Sequence, residues 1–281
     1  RAEEAAADQA ALTYMARAGI DPSGLQRVFQ RFRGQEVFSV GNIDPYAVTH
    51  PLSSQRLQLI DRKVAGVDTA ALQPDAETLY WHGRMRAKLA GFLNGPEQVL
   101  REMADQPETE LTLYARSVAL HRVPAPQEAL DELDRLLAMR PGDPFYLELK
   151  GQVLFELGRA EDAVPYYRQA SKAAPDQPLL KAGLGRALLA LNDPAADREA
   201  LDVLQDARRD DMGDAAALRD LATAYSRAGD IGMATLATAE RHALTGRNQE
   251  AVLQARRAER LLPNGSPAWL RAQDILSLST D

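Results

Sequence analysis

Glu4, Asp8, His50 and Arg56 are the side-chain types from which acid–base or metal chemistry is built, and all four fall in the N-terminal part of the chain. Glu4 and Asp8 stand in Glu-x-x-Ala-Asp, a spacing that puts both carboxylates on one face of a helix. There they form either a solvated acidic face on an alanine-rich helix or one wall of a site. His50 lies in Thr49-His50-Pro51, which on its own reads as a loop, and Arg56 follows it. The four histidines are His50, His82, His121 and His242, and none belongs to a His-Glu-x-x-His motif. Zinc hydrolysis needs several protein ligands around an open position, plus a base. Glu4 and His50 alone do not supply that set. With no cysteine, disulfides, thiolate zinc ligands and cysteine nucleophiles are excluded.

The elements that must position these groups are helical. Ala2 to Arg17 reads as an amphipathic helix, closed by Gly19 and followed by Asp21-Pro22. A second helix is expected from Ser23 to Arg33. Gly34 to Pro51 is irregular, with Val37-Phe38 as its only strand-like signal. A third helix is expected from Ser53, which can cap it, to Val67.

Beyond that point the sequence repeats. Pro107, Pro141 and Pro175 are 34 residues apart, as are Gly83, Ser117, Gly151 and Gly185. This is the period of the tetratricopeptide repeat, a helix–turn–helix unit. The clearest copy runs from Pro144 to Asp176: Gly151 marks a close helix crossing, Gly158 ends helix A, Ala163, Tyr167 and Ala170 form the stripe of helix B, and Pro175 stops it. The preceding copy has Ser117, Ala129, Leu133, Leu136 and Pro141 at the same offsets. In the following copy Ala200, Leu204 and Ala207 are displaced by three residues, which predicts an insertion near Asn192 to Glu199 and a longer turn at Asp193-Pro194. Ala222, Tyr225 and Gly229 mark another helix A. A helix from Ile231 to Thr245 separates it from a last helix B with Ala251, Ala255, Ala258 and Pro263. A degenerate copy around Trp81, Gly83 and Pro107 opens the series, and a helix from Pro267 to Leu278 would cap it. The fold class is therefore all-α: a tetratricopeptide-repeat superhelix (α-solenoid), expected to be right-handed, in residues 73–281, preceded by a short helical part in residues 1–72.

Composition agrees. Hydrophobic residues make up 45% and aromatics only 6%, so alanine and leucine must do the packing, which suits close helices. A formal net charge of −7 argues against a nucleic-acid binder. No apolar run approaches the ~18 residues of a membrane-spanning helix. Beginning at Arg1 rather than methionine, the sequence is expected to be a processed or recombinant product or a fragment.

Taken in order, Glu-x-x-Ala-Asp, the helix stop at Tyr14 to Pro22, Thr49-His50-Pro51 with Arg56, and the repeats resemble the HtpX-like zinc metallopeptidases, specifically the BepA-like periplasmic branch with C-terminal tetratricopeptide repeats. The resemblance implies that Glu4 is the third zinc ligand and Asp8 an acid that orients a ligand histidine. It implies that His50 approaches the metal and that Arg56 is the arginine of the segment closing the active site. It also implies that the His-Glu-x-x-His helix lies upstream of Arg1, so that zinc belongs to the intact parent while this chain alone binds none and cleaves nothing. A periplasmic setting and quality control of outer-membrane proteins follow from the same resemblance. The competing reading is a non-catalytic repeat scaffold whose N-terminal helices are only a cap.

In the repeat family, fixed positions of helix A line the concave groove. Here they map to Leu111, Tyr114, Val118, His121 and Arg122, then to Phe145, Glu148, Gln152 and Phe155, then to Arg186 and Leu189, and finally to Arg219 and Arg227. Exposed aromatics and arginines there would bind a polypeptide substrate or protein partner carrying acidic groups or a free C-terminus. The alternative is that the arginines pair with acids of adjacent helices.

Overall fold

The computed structural model describes residues 2–32, 54–68, 72 and 74–277. The irregular stretch, including Val37-Phe38, His50 and Ser53, lies outside the described residues. The chain divides into two compact units, Arg1–Gly83 and Arg84–Asp281. Every regular element among the described residues is a helix.

In the first unit, α1 (Ala2–Arg17), α2 (Ser23–Phe32) and α3 (Ser54–Ala65) form a small cluster in which α1 and α2 each pack on α3. Gly19, at φ 70°, ends the run after α1 in a backbone region that costs other residues energy. Asp21 accepts from the Ser23 backbone N–H and hydroxyl, which starts α2. Leu12, Ile60 and Val64 are buried, with Leu25 and Phe29 packed against them. The buried side chains of α1 are Asp8 and Leu12, a narrow strip one turn apart.

α4 (Ala76–Leu93) contains the division between the units. The second unit continues through α5 (Pro96–Ala104), α6 (Glu110–His121), α7 (Pro126–Met139), α8 (Pro144–Glu156), α9 (Ala160–Ala173), α10 (Pro178–Ala190), α11 (Pro194–Asp210), α12 (Ala215–Arg227), α13 (Ile231–Leu244), α14 (Asn248–Leu261) and α15 (Pro267–Ser277). Starts follow local chemistry. Asp143, Asp193 and Asp214 each accept backbone N–H groups of the first turn, and proline occupies the first turn of α8 and α11. Hairpins α6–α7, α8–α9 and α10–α11 stack in sequence. This is the helical tetratricopeptide solenoid expected from the 34-residue period, and each pair buries its face only against its neighbour.

The small residues do what the spacing implied. A Cβ on Gly151 would come within 2.9 Å of the Tyr167 ring, and one on Gly185 would collide with Leu204. Ser117 is fully buried at the equivalent place, its hydroxyl donating to the Tyr114 carbonyl. One expectation needs correcting. The turn between α10 and α11 is no longer than that between α8 and α9. Asn192, at φ 53°, takes the left-handed position that Gly158 holds at φ 75° one repeat earlier. The additional residues lengthen the helix itself: α11 has 17 residues where α9 has 14. Helix continues because the inserted stretch, Ala195-Ala196-Asp197-Arg198-Glu199-Ala200, contains no breaker. Further on, α13 packs against both α12 and α14, and α15 closes on α13 and α14.

Candidate functional site

Three helices bring one cluster together in the first unit. Arg56, near the start of α3, is buried. Its Nε and Nη2 donate to the two carboxylate oxygens of Asp8 at 2.7 and 2.9 Å, a bidentate pairing. Its Nη1 lies 3.0 Å from Glu4. The Phe29 ring of α2 covers the guanidinium at 5.5 Å. The cluster exists because Arg56, Ile60 and Val64 share one face of α3 while Glu4, Asp8 and Leu12 share one face of α1, so polar and apolar contacts continue along one seam. Glu4, Asp8 and Arg56 are thus brought together as their sequence order suggested, whereas His50 lies outside the described residues. Asp8 serves Arg56 with both oxygens, not a histidine, among the described residues.

The donor set bears on zinc. Among the described residues no group of three or more histidine, cysteine, aspartate or glutamate side chains could hold a metal ion. Glu4 and Asp8 face a guanidinium, whose positive charge favours the pair as it stands over a cation between them. These residues by themselves do not fit a zinc ion.

The groove positions are mixed. Tyr114 is a correction: expected as an exposed aromatic, it is 3% exposed, edge-on to Tyr146 at 5.0 Å. The buried Arg84 explains this. It forms a bidentate pair with Asp143 at 2.6 and 2.9 Å and lies 4.1 Å from the Tyr146 ring and 5.7 Å from those of Tyr114 and Phe145. Aromatics of α6 and α8 therefore enclose a cation of α4. Val118 and Leu189 are also buried. Phe145, Gln152 and Phe155 are half-buried, Leu111 is exposed, and His121 lies 2.9 Å from Glu156. Glu148 is pushed above the usual carboxylate range by burial, an effect Lys88 partly offsets.

The four groove arginines are all engaged. Arg186 donates to Asp220 at 2.7 Å, and Arg219 grips the other oxygen of the same buried carboxylate at 2.8 and 2.9 Å. Arg227 meets Asp197, Asn192 and the Leu189 carbonyl, and Arg122 meets the Gly91 and Asn94 carbonyls. Arg122 and Arg227 thus sit on the carbonyl end of the preceding helix A, where a cation is favoured. The pairing stated as the alternative holds for Arg186 and Arg227, which reach acids of neighbouring helices, whereas Arg219 pairs with the next residue of its own helix and Arg122 with backbone carbonyls. A sequence signal existed: an acid about one repeat downstream of a groove base, as in Arg186–Asp220 and His121–Glu156. The sequence reading missed Arg84–Asp143, and it missed Arg241 and Arg257.

Residues 1–64 match the model of peptidase family M48. This M48-like segment makes the chain metallopeptidase-related. The chain is similar to the beta-barrel assembly-enhancing protease of Escherichia coli (strain K12), 24% identical over 256 residues that cover 89% of this chain and 51% of that protein. The protein of the same name from Yersinia pestis is 24% identical over 200 residues, covering 69% of this chain and 40% of that one. The chain thus spans about half, or less, of the length of the curated relatives it matches. Among solved structures, MamA AMB-1 aligns with a TM-score of 0.50 and 18% identity, covering 59% of this chain and 98% of that one, which supports the helical repeat fold. An M48-like segment followed by C-terminal tetratricopeptide repeats is the arrangement expected from the sequence. No helix among the described residues is long and apolar enough to cross a membrane.

Proposed function

We propose that this chain is the C-terminal, polypeptide-binding portion of a zinc-dependent metalloendopeptidase. In this reading residues 1–72 complete the peptidase domain and residues 73–281 hold a substrate or partner in the groove. The observation that carries it is the M48 match over residues 1–64 leading into a repeat stack. The relatives' name speaks of beta-barrel assembly, which supports a bacterial periplasmic setting and quality control of outer-membrane proteins. Zinc belongs to the intact protein, where Glu4 would supply one ligand. Arg56 would be a positioning residue that fixes the spacing of Glu4 and Asp8, and His50 would lie near the metal. The remaining ligands and the base would come from a His-Glu-x-x-His helix outside these 281 residues.

The coding sequence upstream of Arg1 tests this first. A His-Glu-x-x-His helix there supports the peptidase, and its absence leaves the repeat scaffold, which the tight Arg56–Asp8 pairing also accommodates. In the intact protein, Glu4→Ala is expected to remove zinc, measured by elemental analysis. His50→Ala is expected to leave zinc bound and alter cleavage of an unfolded protein. Wild-type zinc content in the Glu4 variant would end the ligand assignment. The 281-residue chain alone is expected to hold no stoichiometric zinc.

For the groove, the reading keeps Arg122, Gln152, Phe155, Arg219 and Arg227 as contact residues, with Phe145, His121 and Arg186 at its edge. Tyr114 supports the wall from behind. Arg186 and Arg219 act as cations placed by their shared Asp220, Arg227 is placed by Asp197, and Arg122 by backbone carbonyls.

A further inference from the structure

An open cleft of about 700 Å3 lies between α12, α13 and α14, next to the groove arginines. Arg219 and Arg227 enter it from α12, Arg241 from α13 and Arg257 from α14, and no aspartate or glutamate lines it. The guanidinium groups of Arg241 and Arg257 form no hydrogen bond or ion pair with any described residue. Arg219 shares Asp220 with Arg186, and Arg227 pairs with Asp197. Five guanidinium groups in this region are therefore served by two carboxylates, in a chain whose formal net charge is −7. Cations gathered without counter-charge repel one another, so this local excess costs stability unless an anion relieves it.

We propose that this cleft binds an acidic peptide segment, with at least two carboxylates held by Arg241, Arg257 and their neighbours on α12. The inference rests on the reading of the repeats as a polypeptide-binding groove and extends it to a defined chemistry at a defined end. A planar guanidinium grips a carboxylate through two parallel hydrogen bonds, and the Ser226 hydroxyl at the cleft adds a donor. Two features favour a peptide over a bare inorganic anion. Arg219 and Arg227 belong both to the cleft and to the helix A face, so a chain lying along that face runs into the cleft. The lining also includes Ala222, Ile231 and Ala234, which can take the apolar parts of a peptide between its charges. Arg241 and Arg257 need nothing from this chain, so they remain available to a ligand.

The test uses the full chain and a fluorescein-labelled hexaglutamate peptide with a free C-terminus, followed by anisotropy at low and physiological salt. Binding that weakens with salt is expected. The double variant Arg241→Glu with Arg257→Glu is expected to weaken it about tenfold or more, since two charge-assisted contacts are lost. Arg256→Glu with Arg260→Glu makes the same charge change on exposed residues of α14 that do not line the cleft, and is expected to change affinity less than about twofold. Equal losses from the two pairs would reduce the effect to general charge attraction and overturn the proposal. So would absence of hexaglutamate binding, or displacement of the peptide by equimolar inorganic phosphate. Sedimentation with phosphatidylglycerol vesicles that depends on Arg241 and Arg257 would assign the cleft to a lipid headgroup instead. If an unfolded protein still crosslinks along α8 while the Arg241 and Arg257 variant binds hexaglutamate normally, the cleft assignment fails and the groove reading stands.

Discussion

Arg56 balances two carboxylates inside three small helices, so each partner's removal has a readable consequence. Asp8→Ala removes the bidentate partner of a buried guanidinium and is expected to destabilise the first unit by about 3 kcal/mol. Chemical denaturation followed by circular dichroism measures this, and a change under about 0.5 kcal/mol, the size of an ordinary surface substitution, would show that the pairing is incidental. Glu148 gives a pH signature. Its carboxyl titrates above the ordinary 4.5 because burial disfavours the charged form. The folded state therefore binds the proton more tightly than the unfolded one, and stability is lost as pH rises from about 4.5 through the raised value. Glu148→Gln removes that penalty. The variant is expected to match the wild type near pH 4 and to melt higher at pH 7; melting curves that run parallel across this range would contradict the assignment. At this scale the sequence was legible only in part. Glu4, Asp8 and Arg56 could be named together from their order. Tyr114 could not be recognised as buried, because what covers it is Arg84 from α4, two helices earlier, and a repeat position says nothing of a neighbour's side chain.

Helices and their crossings were far more legible, because close approach of two backbones leaves a small residue behind. Gly151 and Gly185 recur one period apart since Tyr167 and Leu204 occupy the space a side chain would need. Gly151→Ala is accordingly expected to cost about 1–3 kcal/mol by forcing the Tyr167 ring to move, with the thermal midpoint as the measure. The ring also abuts Gly183, which narrows its room to retreat. An unchanged midpoint would mean that the crossing is looser than its geometry. The displaced Ala200, Leu204 and Ala207 were legible as an insertion but not as a longer helix. A shift in spacing counts residues, and only the unbroken run from Pro194 to Asp210 shows that they stayed helical.

Across the whole chain, the two units differ in what holds them. The second buries a continuous core from Leu113 to Ala234, shared between successive hairpins. Among its described residues the first gathers Leu12, Ile60 and Val64, two half-buried neighbours and the Arg56 ion-pair cluster. Small cores give little stability. Unfolding is therefore expected in two steps, with Asp8→Ala moving only the earlier one and Gly151→Ala only the later. The central claim is that the helix A face of the repeats holds a polypeptide for an M48-related protein. Site-specific photocrosslinking tests it most directly. A benzoylphenylalanine would be placed in turn at Gln152, Phe155 and Arg122 on helix A, and at exposed Lys172 and Arg209 on helix B, with reduced carboxymethylated α-lactalbumin as an acidic unfolded probe. The account expects crosslinks from the helix A positions and little from Lys172 or Arg209; equal yields from both faces, or crosslinks from helix B alone, would contradict it.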